Sequence, residues 1–284
     1  MTFSDLERYF SAELSAIYAS EEAKMLCFLT VQHRLSWTKA SYLLHKQEEI
    51  FEADKVYFLE VLSQLKSSKP IQYLLGETEF YGRRFRVSSA VLIPRPETEE
   101  LVKWILESVS IANPTILDIG TGSGCIPISL KKELPDAELT ALDISADALA
   151  LARQNADLHE TEITFIEKDV LQMHASQLAS SFDVVVSNPP YIAEEEKDLM
   201  KANVLAHEPY LALFVTNQDP LIFYERIATL AQEILKPGGF LFFEINERFG
   251  SEVCQLLSEK GFKRLELRCD MSGKDRMVKA QWLS

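Results

Sequence analysis

A short turn rich in proline, Asn188-Pro189-Pro190-Tyr191, carries the most distinctive chemistry in this 284-residue sequence. It follows an apolar run, Val184 to Val186, that predicts a buried strand. Two consecutive prolines fix φ and remove two backbone donors, so the turn is a rigid corner with exposed carbonyl oxygens. The side-chain oxygen of Asn188 and the carbonyl of Pro189 can accept both N–H bonds of a planar amide or amine. Held in this way, the nitrogen can become tetrahedral, as it must to act as a nucleophile.

The same corner offers an aromatic side chain. Tyr191 presents a face on which a flat amide or base could stack. We therefore predict that Asn188, Pro189, Pro190 and Tyr191 bind a substrate nitrogen and promote its reaction. The alternative is a proline-rich strand exit with no chemistry.

A glycine-rich loop follows an earlier strand: Thr115 to Ile119 leads into Gly120-Thr121-Gly122-Ser123-Gly124 and then a helix. Glycines let the backbone turn sharply and approach a ligand closely. Dinucleotide enzymes share such loops, so the loop alone does not choose the ligand. The G-x-G-x-G spacing and Asp118 just before it favour a ligand with an ammonium group, since a carboxylate would repel a pyrophosphate. We therefore predict S-adenosylmethionine, held by Asp118, Gly120, Thr121, Gly122, Ser123 and Gly124.

Acidic residues also end the next two predicted strands. Asp143, 19 positions beyond Gly124, can accept hydrogen bonds from two ribose hydroxyls. Asp169 can accept the adenine amino group while Val170 covers the ring. Singly, each aspartate could be a turn residue or a helix N-cap. Three acidic positions at three successive strand ends favour a ligand site, because the carboxyl ends of parallel strands meet at one edge of a sheet.

Alternating strands and helices after Asn113 would position these residues. The predicted strands are Thr115–Ile119, Glu138–Ile144, Ile163–Ile166, Val184–Val186 and Phe240–Ile245. Such alternation indicates an α/β fold with a parallel sheet and helices on both faces. Two further strands, Arg264–Cys269 and Met277–Trp282, are separated by a turn-rich loop and predict a closing hairpin. The sheet would then be seven-stranded and mostly parallel.

The first 70 residues differ in composition. No glycine precedes Gly76, and Pro70 is the first proline, which favours helices over hairpins. Ser4 and Glu7 predict a capping box at the start of the first helix. We predict a helical bundle over 1–70, a β-hairpin linker over 71–92 and a catalytic domain over 93–284. The bundle would either dock a protein substrate or serve only as a packing appendage.

Composition limits the partners. The net charge of −14 argues against general or stable nucleic-acid binding, which needs cations to neutralise phosphates. No apolar stretch approaches the roughly 20 residues of a membrane helix, and no signal pattern opens the chain. Four separated cysteines without a CxxC pair suggest neither zinc nor disulfides. We expect a cytoplasmic monomer without a metal site.

With these motifs placed, the chain resembles the HemK/PrmC family of protein-(glutamine-N5) methyltransferases. The resemblance spans essentially the whole sequence and also rests on Pro70–Gly76, Glu79–Gly82, Ile93–Glu99, Glu208-Pro209, Ala212-Leu213 and Leu235–Gly239. It implies a Rossmann-like class I methyltransferase fold with S-adenosylmethionine as donor and S-adenosylhomocysteine as product. It also implies methylation of the glutamine amide in the Gly-Gly-Gln tip of class 1 peptide chain release factors, and so an influence on translation termination.

Matching positions imply individual roles. The loop from Gly120 to Gly124 would hold the methionyl part, Asp143 the ribose, and Asp169 with Val170 the adenine. Asn188 would contact both cofactor and substrate. Family members often carry an aromatic residue where this chain has Val170, which is a departure. By the same reasoning, the nearby Arg95 and Glu97 would brace the linker against the catalytic domain and take no part in catalysis.

Two other functions compete with this interpretation. Adenine or guanine amino methyltransferases acting on DNA or ribosomal RNA share the Asn-Pro-Pro-Tyr turn. However, few residues remain after Tyr191 for a target-reading module, and the mildly acidic N-terminal region has the wrong charge for one. A non-catalytic cofactor-binding module would not need Asn188. The segment 191–207, with Glu194 to Glu196, could be a lid or a loop, and its acidic run either a solvated face or a docking point for a basic substrate.

Overall fold

The computed structural model describes residues 1–178, 181–199 and 202–283, which divide into two compact units. The first unit is Met1–Gly76 with the described part of Lys201–His207. The second is formed by the described parts of Glu77–Met200 and Glu208–Ser284. Within these ranges, no helix combines the length and apolar character needed to cross a membrane.

Helices make up the first unit, as the sequence predicted. They are α1 (Phe3–Glu13), α2 (Ser20–Leu35), α3 (Lys39–Leu44), α4 (Glu52–Leu65), α5 (Ile71–Leu75) and α9 (Ala202–His207). The apolar faces of α1 to α5 meet in one core that includes Leu6, Phe10, Cys27, Phe58 and Leu62. Burial of such faces, rather than helix propensity alone, stabilises short helices of this kind.

The start of α1 corrects one prediction. The capping box uses Thr2 and Asp5 rather than Ser4 and Glu7: Asp5 N donates to Thr2 Oγ1 (3.1 Å) and Thr2 N donates to Asp5 Oδ2 (2.9 Å). Both spacings satisfy the capping-box pattern. The earlier start is favoured because it brings Phe3 into the helix, where its side chain is buried.

The hairpin that follows is shorter than predicted. Strands β1 (Glu77–Phe80) and β2 (Arg83–Arg86) form an antiparallel pair. The first part of the hairpin predicted over 71–92 is wrong, because residues 71–75 form α5. Pro70 stands at the N-cap of this helix, and Gly76 ends it with φ of 74°, a left-handed conformation that glycine adopts without strain.

A seven-stranded sheet forms the centre of the second unit, as predicted. The strands are β3 (Thr115–Ile119), β4 (Glu138–Asp143), β5 (Thr164–Glu167), β6 (Phe182–Ser187), β9 (Leu235–Glu244), β10 (Lys263–Cys269) and β11 (Asp275–Gln281). They lie in the order β10-β11-β9-β6-β3-β4-β5, and all run in the same direction except β11, which is antiparallel to both of its neighbours, β9 and β10. The helices are α6 (Pro96–Ser108), α7 (Cys125–Glu133), α8 (Ala146–Leu158), α10 (Tyr210–Leu213), α11 (Ile222–Ile234) and α12 (Gly250–Glu259).

The order of the strands creates a crevice at their carboxyl ends. The chain leaves β3 for β4 on one side and later returns to place β6 on the other side. Ligands of open α/β sheets bind at such a switch point. The register aligns Ile119 with Ser187, so Gly120 and Asn188 leave their strands at the same level.

The segment after the proline turn has structure that the sequence did not predict. A short parallel pair joins β7 (Ile192–Ala193) to β8 (Phe214–Val215), and a 3₁₀ helix covers Glu194–Leu199. Glu196 Oε1 accepts hydrogen bonds from Ala193 N and Asn246 Nδ2, both at 3.0 Å. Glu196 therefore makes specific contacts, whereas Glu194 and Glu195 of the same acidic run are exposed. Residues 200 and 201, within the predicted lid or loop, lie outside the described residues.

Candidate active site

A cavity of about 440 Å³ lies at the carboxyl ends of β3, β4, β5 and β6. This volume is within the range of small-molecule sites. Its wall includes ten of the residues predicted from the sequence: Gly120, Thr121, Gly122, Ser123, Asp143, Asp169, Val170, Asn188, Pro189 and Pro190. The glycine loop and the proline turn, far apart along the chain, therefore face the same space.

The glycine loop folds over the end of β4. The amides of Gly120 and Thr121 donate to Leu142 O at 2.8 and 3.0 Å, and Gly122 N donates to Asp143 Oδ2 at 2.8 Å. Gly120 has φ of 77°, and a Cβ there would lie 3.9 Å from the carbonyl oxygen of Asn188. The left-handed backbone thus brings the loop beside the proline turn.

Gly124 has a packing role that the sequence did not predict. It is absent from the described cavity wall. A Cβ on this residue would approach Ile128 Cδ1 to 3.1 Å and Ala152 Cβ to 3.2 Å. The missing side chain therefore lets α7 approach α8 closely, while a cofactor contact at Gly124 stays a prediction.

Unpaired polar oxygens cluster around the loop. Both carboxylate oxygens of Asp118 and the hydroxyls of Thr121 and Ser123 are buried and have no hydrogen-bond partner among the described residues. Burial raises the pKa of Asp118 to about 7. Leaving such a group unsatisfied costs about 1–3 kcal/mol, so the cluster fits a ligand that brings N–H donors or a cation. Asp118 itself is fully buried behind the loop and does not line the described cavity.

Asp143 and Asp169 satisfy both interpretations offered for them. Ser145 N donates to Asp143 Oδ1 and Leu171 N donates to Asp169 Oδ1, each at 2.9 Å, so both aspartates make turn contacts. Both also line the cavity. Because a carboxylate has about four lone-pair sites, each can accept further bonds from a ligand. Burial raises the pKa of Asp143 despite the backbone N–H groups that bind it.

The apolar side of the cavity was only partly predicted from the sequence. Val170 lines the cavity, as predicted, and its carbonyl accepts from Arg226 Nε at 3.1 Å. Phe223 and Ile227 of α11 line the same cavity. Helical periodicity marked α11 as amphipathic, but nothing local distinguished a residue facing a cavity from one facing the core. Phe223 therefore supplies the cavity wall with an aromatic side chain, whereas position 170 is a valine.

The proline turn presents three of its four residues to the cavity. Asn188, Pro189 and Pro190 line the wall, and Asn188 Nδ2 donates to Thr98 Oγ1 at 3.3 Å. Tyr191 is not on the described wall. Its hydroxyl donates to Glu244 Oε1 at 3.2 Å and its ring packs against the core. Burial raises the pKa of Tyr191, so its hydroxyl stays protonated, and the stacking role predicted for its ring receives no support from these contacts.

Thr98 and Glu244 are site residues that sequence reasoning missed. Thr98 Oγ1 donates to Glu244 Oε2 at 2.7 Å, and both residues are buried. Burial raises the pKa of Glu244, although the Thr98 hydroxyl and the charge of Arg276 oppose the shift. The available signal was a carboxylate at the end of an otherwise apolar strand, Phe240 to Ile245, because charged groups are seldom fully buried without a partner.

An ion pair joins two parts of the wall. Arg95 Nη2 lies 2.6 Å from Glu208 Oε1, whose side chain is only 1% exposed. Ile93 N also donates to Glu208 Oε2 at 3.3 Å. Because the wall includes both Arg95 and Pro209, this pair fixes the two segments on the cavity against each other. The bracing role predicted for Arg95 is thus directed at Glu208, while Glu97 lies in the first turn of α6.

Comparison with known proteins gives two family matches within the chain. Residues 98–213 match the Methyltransferase small domain, and residues 5–76 match the PrmC N-terminal domain. The first match contains the glycine loop and the proline turn, and the second coincides with the helical unit.

Curated relatives match nearly the full length. A release factor glutamine methyltransferase from Flavobacterium psychrophilum is 43% identical over 99% of this chain and 100% of its own. One from Bacteroides thetaiotaomicron is 45% identical over 96% and 97%, respectively. One from Streptococcus pneumoniae is 40% identical over 98% of both chains.

Proposed function

Because this chain belongs to the family of release factor glutamine methyltransferases, we propose that it methylates the side-chain amide nitrogen (N5) of glutamine in the Gly-Gly-Gln tip of class 1 peptide chain release factors. One observation carries the proposal: the Asn188 turn and the glycine loop line the same cavity, with Gly120 next to the Asn188 carbonyl. This proximity supports transfer of a methyl group from a donor at the glycine loop to an NH2 group bound at the proline turn.

The proline turn activates the amide nitrogen. A planar amide is a poor nucleophile because its lone pair is delocalised into the carbonyl group. Asn188 Oδ1 and the Pro189 carbonyl accept the two N–H bonds and stabilise the charge that develops on nitrogen. The prolines restrict the backbone, so little reorganisation accompanies the reaction. The alkylated nitrogen is a strong acid that releases its proton to water, so no side chain has to act as a base.

The glycine loop and the strand ends hold the methyl donor. S-adenosylmethionine, when bound, supplies a methyl carbon on a positively charged sulfur, and the C–S electron pair returns to sulfur as the N–C bond forms. Thr121 and Ser123, on the cavity wall, offer unsatisfied acceptors to the ammonium of its methionyl group, and the buried carboxylate of Asp118 beside Thr121 adds its negative charge. Asp143 has lone pairs for the ribose hydroxyls, and Asp169 for the adenine amino group. Val170 and Phe223 offer apolar cover for the adenine ring.

The helical unit has a separate proposed task. It lacks every residue of the cavity wall, and its match to the PrmC N-terminal domain extends over 5–76. A glutamine tip alone offers little to distinguish a release factor from other proteins. We therefore assign to this unit the docking of the release factor body.

The test is direct methylation by the full-length protein. It is incubated with S-adenosylmethionine labelled in the methyl group, and with a purified release factor, duplex DNA or ribosomes in parallel. We expect label in the release factor, and mass spectrometry of the tip peptide should place one methyl group on the glutamine. A release factor with the tip Gln replaced by Asn serves as the control. Label in nucleic acid and none in the release factor would instead support an amino methyltransferase acting on nucleic acid.

A further inference from the structure

A chain of hydrogen bonds connects the proposed catalytic asparagine to a buried carboxylate. Asn188 Nδ2 donates to Thr98 Oγ1 (3.3 Å), and Thr98 Oγ1 donates to Glu244 Oε2 (2.7 Å). We infer that Thr98 and Glu244 are positioning residues that hold the Asn188 amide with its oxygen directed at the substrate nitrogen. The inference deepens the proposed function and rests on it.

The donor-to-acceptor direction of these hydrogen bonds follows from the carboxylate of Glu244 at their end. Glu244 accepts a hydrogen bond on each carboxyl oxygen, from Thr98 at 2.7 Å and from Tyr191 at 3.2 Å, and the first of these uses the single proton of the Thr98 hydroxyl. The Thr98 oxygen can then only accept, and the side chain that faces it has to be a donor. Turning the Asn188 amide over would put its oxygen against the Thr98 oxygen, two acceptors at hydrogen-bond distance. That arrangement loses a hydrogen bond and leaves a buried group unsatisfied.

This direction leaves the oxygen of the Asn188 amide, Oδ1, free to accept a hydrogen bond from the substrate. Asn188 Oδ1 accepts no hydrogen bond from a described residue, and Asn188 lines the cavity. A flipped amide would present its NH2 instead, and two donors would face each other when the substrate NH2 arrived. Orientation of one amide therefore decides whether the proline turn binds the substrate nitrogen or repels it.

Glu244, at the other end of this series of hydrogen bonds, is also held in place. Glu244 Oε1 accepts from the Tyr191 hydroxyl at 3.2 Å, and Asn246 Nδ2 donates to the Tyr191 carbonyl at 3.1 Å. Both ends of the Asn-Pro-Pro-Tyr turn thus attach to the end of β9, which lies next to β6 in the sheet. Low local dielectric strengthens such a buried network.

The experiment compares Thr98→Val with Thr98→Ser in the full-length protein. Valine keeps the shape of threonine but removes the hydroxyl, whereas serine keeps the hydroxyl. We expect Thr98→Val to lower kcat for release factor methylation about 10- to 100-fold, since misorientation of one catalytic group has effects of this size. The KM for the release factor and the Kd for S-adenosylmethionine should stay within about threefold, and Thr98→Ser should restore most of kcat.

A matched control exists at the other end of the sheet. Thr115 Oγ1 donates to the carboxylate of Asp183 at 2.8 Å, the same chemistry away from the cavity. Thr115→Val should leave kcat within about twofold while lowering Tm by a few degrees, as loss of one such bond does in a chain of this size.

A second readout does not depend on turnover. The side-chain NH2 of Asn188, observed by ¹⁵N NMR and assigned with Asn188→Asp, should exchange slowly with solvent in wild type and in Thr98→Ser, and faster in Thr98→Val. If Thr98→Val does not fold, Glu244→Gln replaces it: the neutral acceptor is weaker, and kcat should fall about 3- to 10-fold.

The outcomes separate the two proposals. Wild-type protein that fails to methylate the glutamine overturns the proposed function. Wild-type activity with an unchanged kcat in Thr98→Val overturns the positioning role alone. The same role is also overturned if Thr98→Ser is as slow as Thr98→Val, or if the Thr115→Val control loses as much activity.

Discussion

Carboxylates occur at both ends of the parallel strands, but their surroundings differ. At the carboxyl ends, Asp118, Asp143 and Glu244 have raised pKa values because they are buried, and none forms an ion pair with a described residue. At the amino ends, burial of Asp183 is outweighed by Lys236, 2.8 Å away, and by two hydrogen bonds from Thr115, which lower its pKa.

The difference distinguishes a site for chemistry from a structural contact. A buried acid whose charge is already compensated can only stabilise the fold. Buried acids left without a cation are costly, and proteins retain them mainly where a ligand or a reaction uses them. We therefore assign the candidate site to the carboxyl edge of the sheet, and each expected result below tests that contrast.

The largest effect should come from Asn188, which is linked to Glu244 through Thr98 at the carboxyl edge. Asn188→Ala removes the acceptor for the developing charge, and we expect kcat to fall about 10²- to 10³-fold with the fold retained. Asp183→Asn, the matched change at the amino edge, should keep kcat within about twofold. Steady-state methylation of a release factor measures both. A near-normal rate in Asn188→Ala would show that the two edges do not differ in the proposed way.

A smaller effect concerns Asp118 and the pH. With its pKa near 7, this carboxyl loses its proton on binding a cation, so the affinity for S-adenosylmethionine should rise as pH increases from 6 to 8. One linked proton allows at most about a tenfold change in Kd per pH unit. Asp118→Asn should bind more weakly at pH 8 and show little pH dependence. Calorimetry at several pH values checks this, and an equally steep dependence in the variant would remove Asp118 from the binding site.

A several-fold effect should come from the apolar wall at the same edge. Phe223→Ala removes the aromatic face proposed to cover adenine, and the Kd for S-adenosylmethionine should rise about fivefold, consistent with about 1 kcal/mol for such contacts. Phe249→Ala is the control, because Phe249 packs against the same core cluster but does not line the described cavity. Equal losses of affinity in both variants would mean that the core, rather than the wall, had been damaged.

The smallest effect is on stability, and it should have opposite signs at the two edges. Glu244 has a raised pKa in the folded protein, so wild type should gain stability relative to Glu244→Gln as pH falls through that value towards the ordinary 4.5. Asp183 has a lowered pKa, so its contribution is present above the ordinary 3.8 and is lost as pH falls below it. Urea unfolding of wild type, Glu244→Gln and Asp183→Asn from pH 7 to pH 3 measures both trends. Trends of the same sign would contradict the comparison.

Much of the site could be predicted from the sequence because its parts are local. The glycine loop and the proline turn consist of adjacent residues whose backbone limits follow from their types. Apolar runs located the strands, and the rule that parallel strands end at one edge brought Asp143, Asp169 and Asn188 together. The loop and turn residues on the cavity wall needed no other information.

Tertiary structure decided what these residues do with their neighbours. Thr98 meets Glu244 because α6 packs against β9, and Arg95 meets Glu208 where the segments that precede α6 and α10 come together on the cavity wall. Such pairs join positions more than a hundred residues apart in the sequence. The spacing of apolar residues predicts helices and strands but not which side chains of distant elements contact each other. The sequence thus determined which groups reach the edge of the sheet. Packing and strand order determined which of them are satisfied, which stay unpaired, and which way an amide can point.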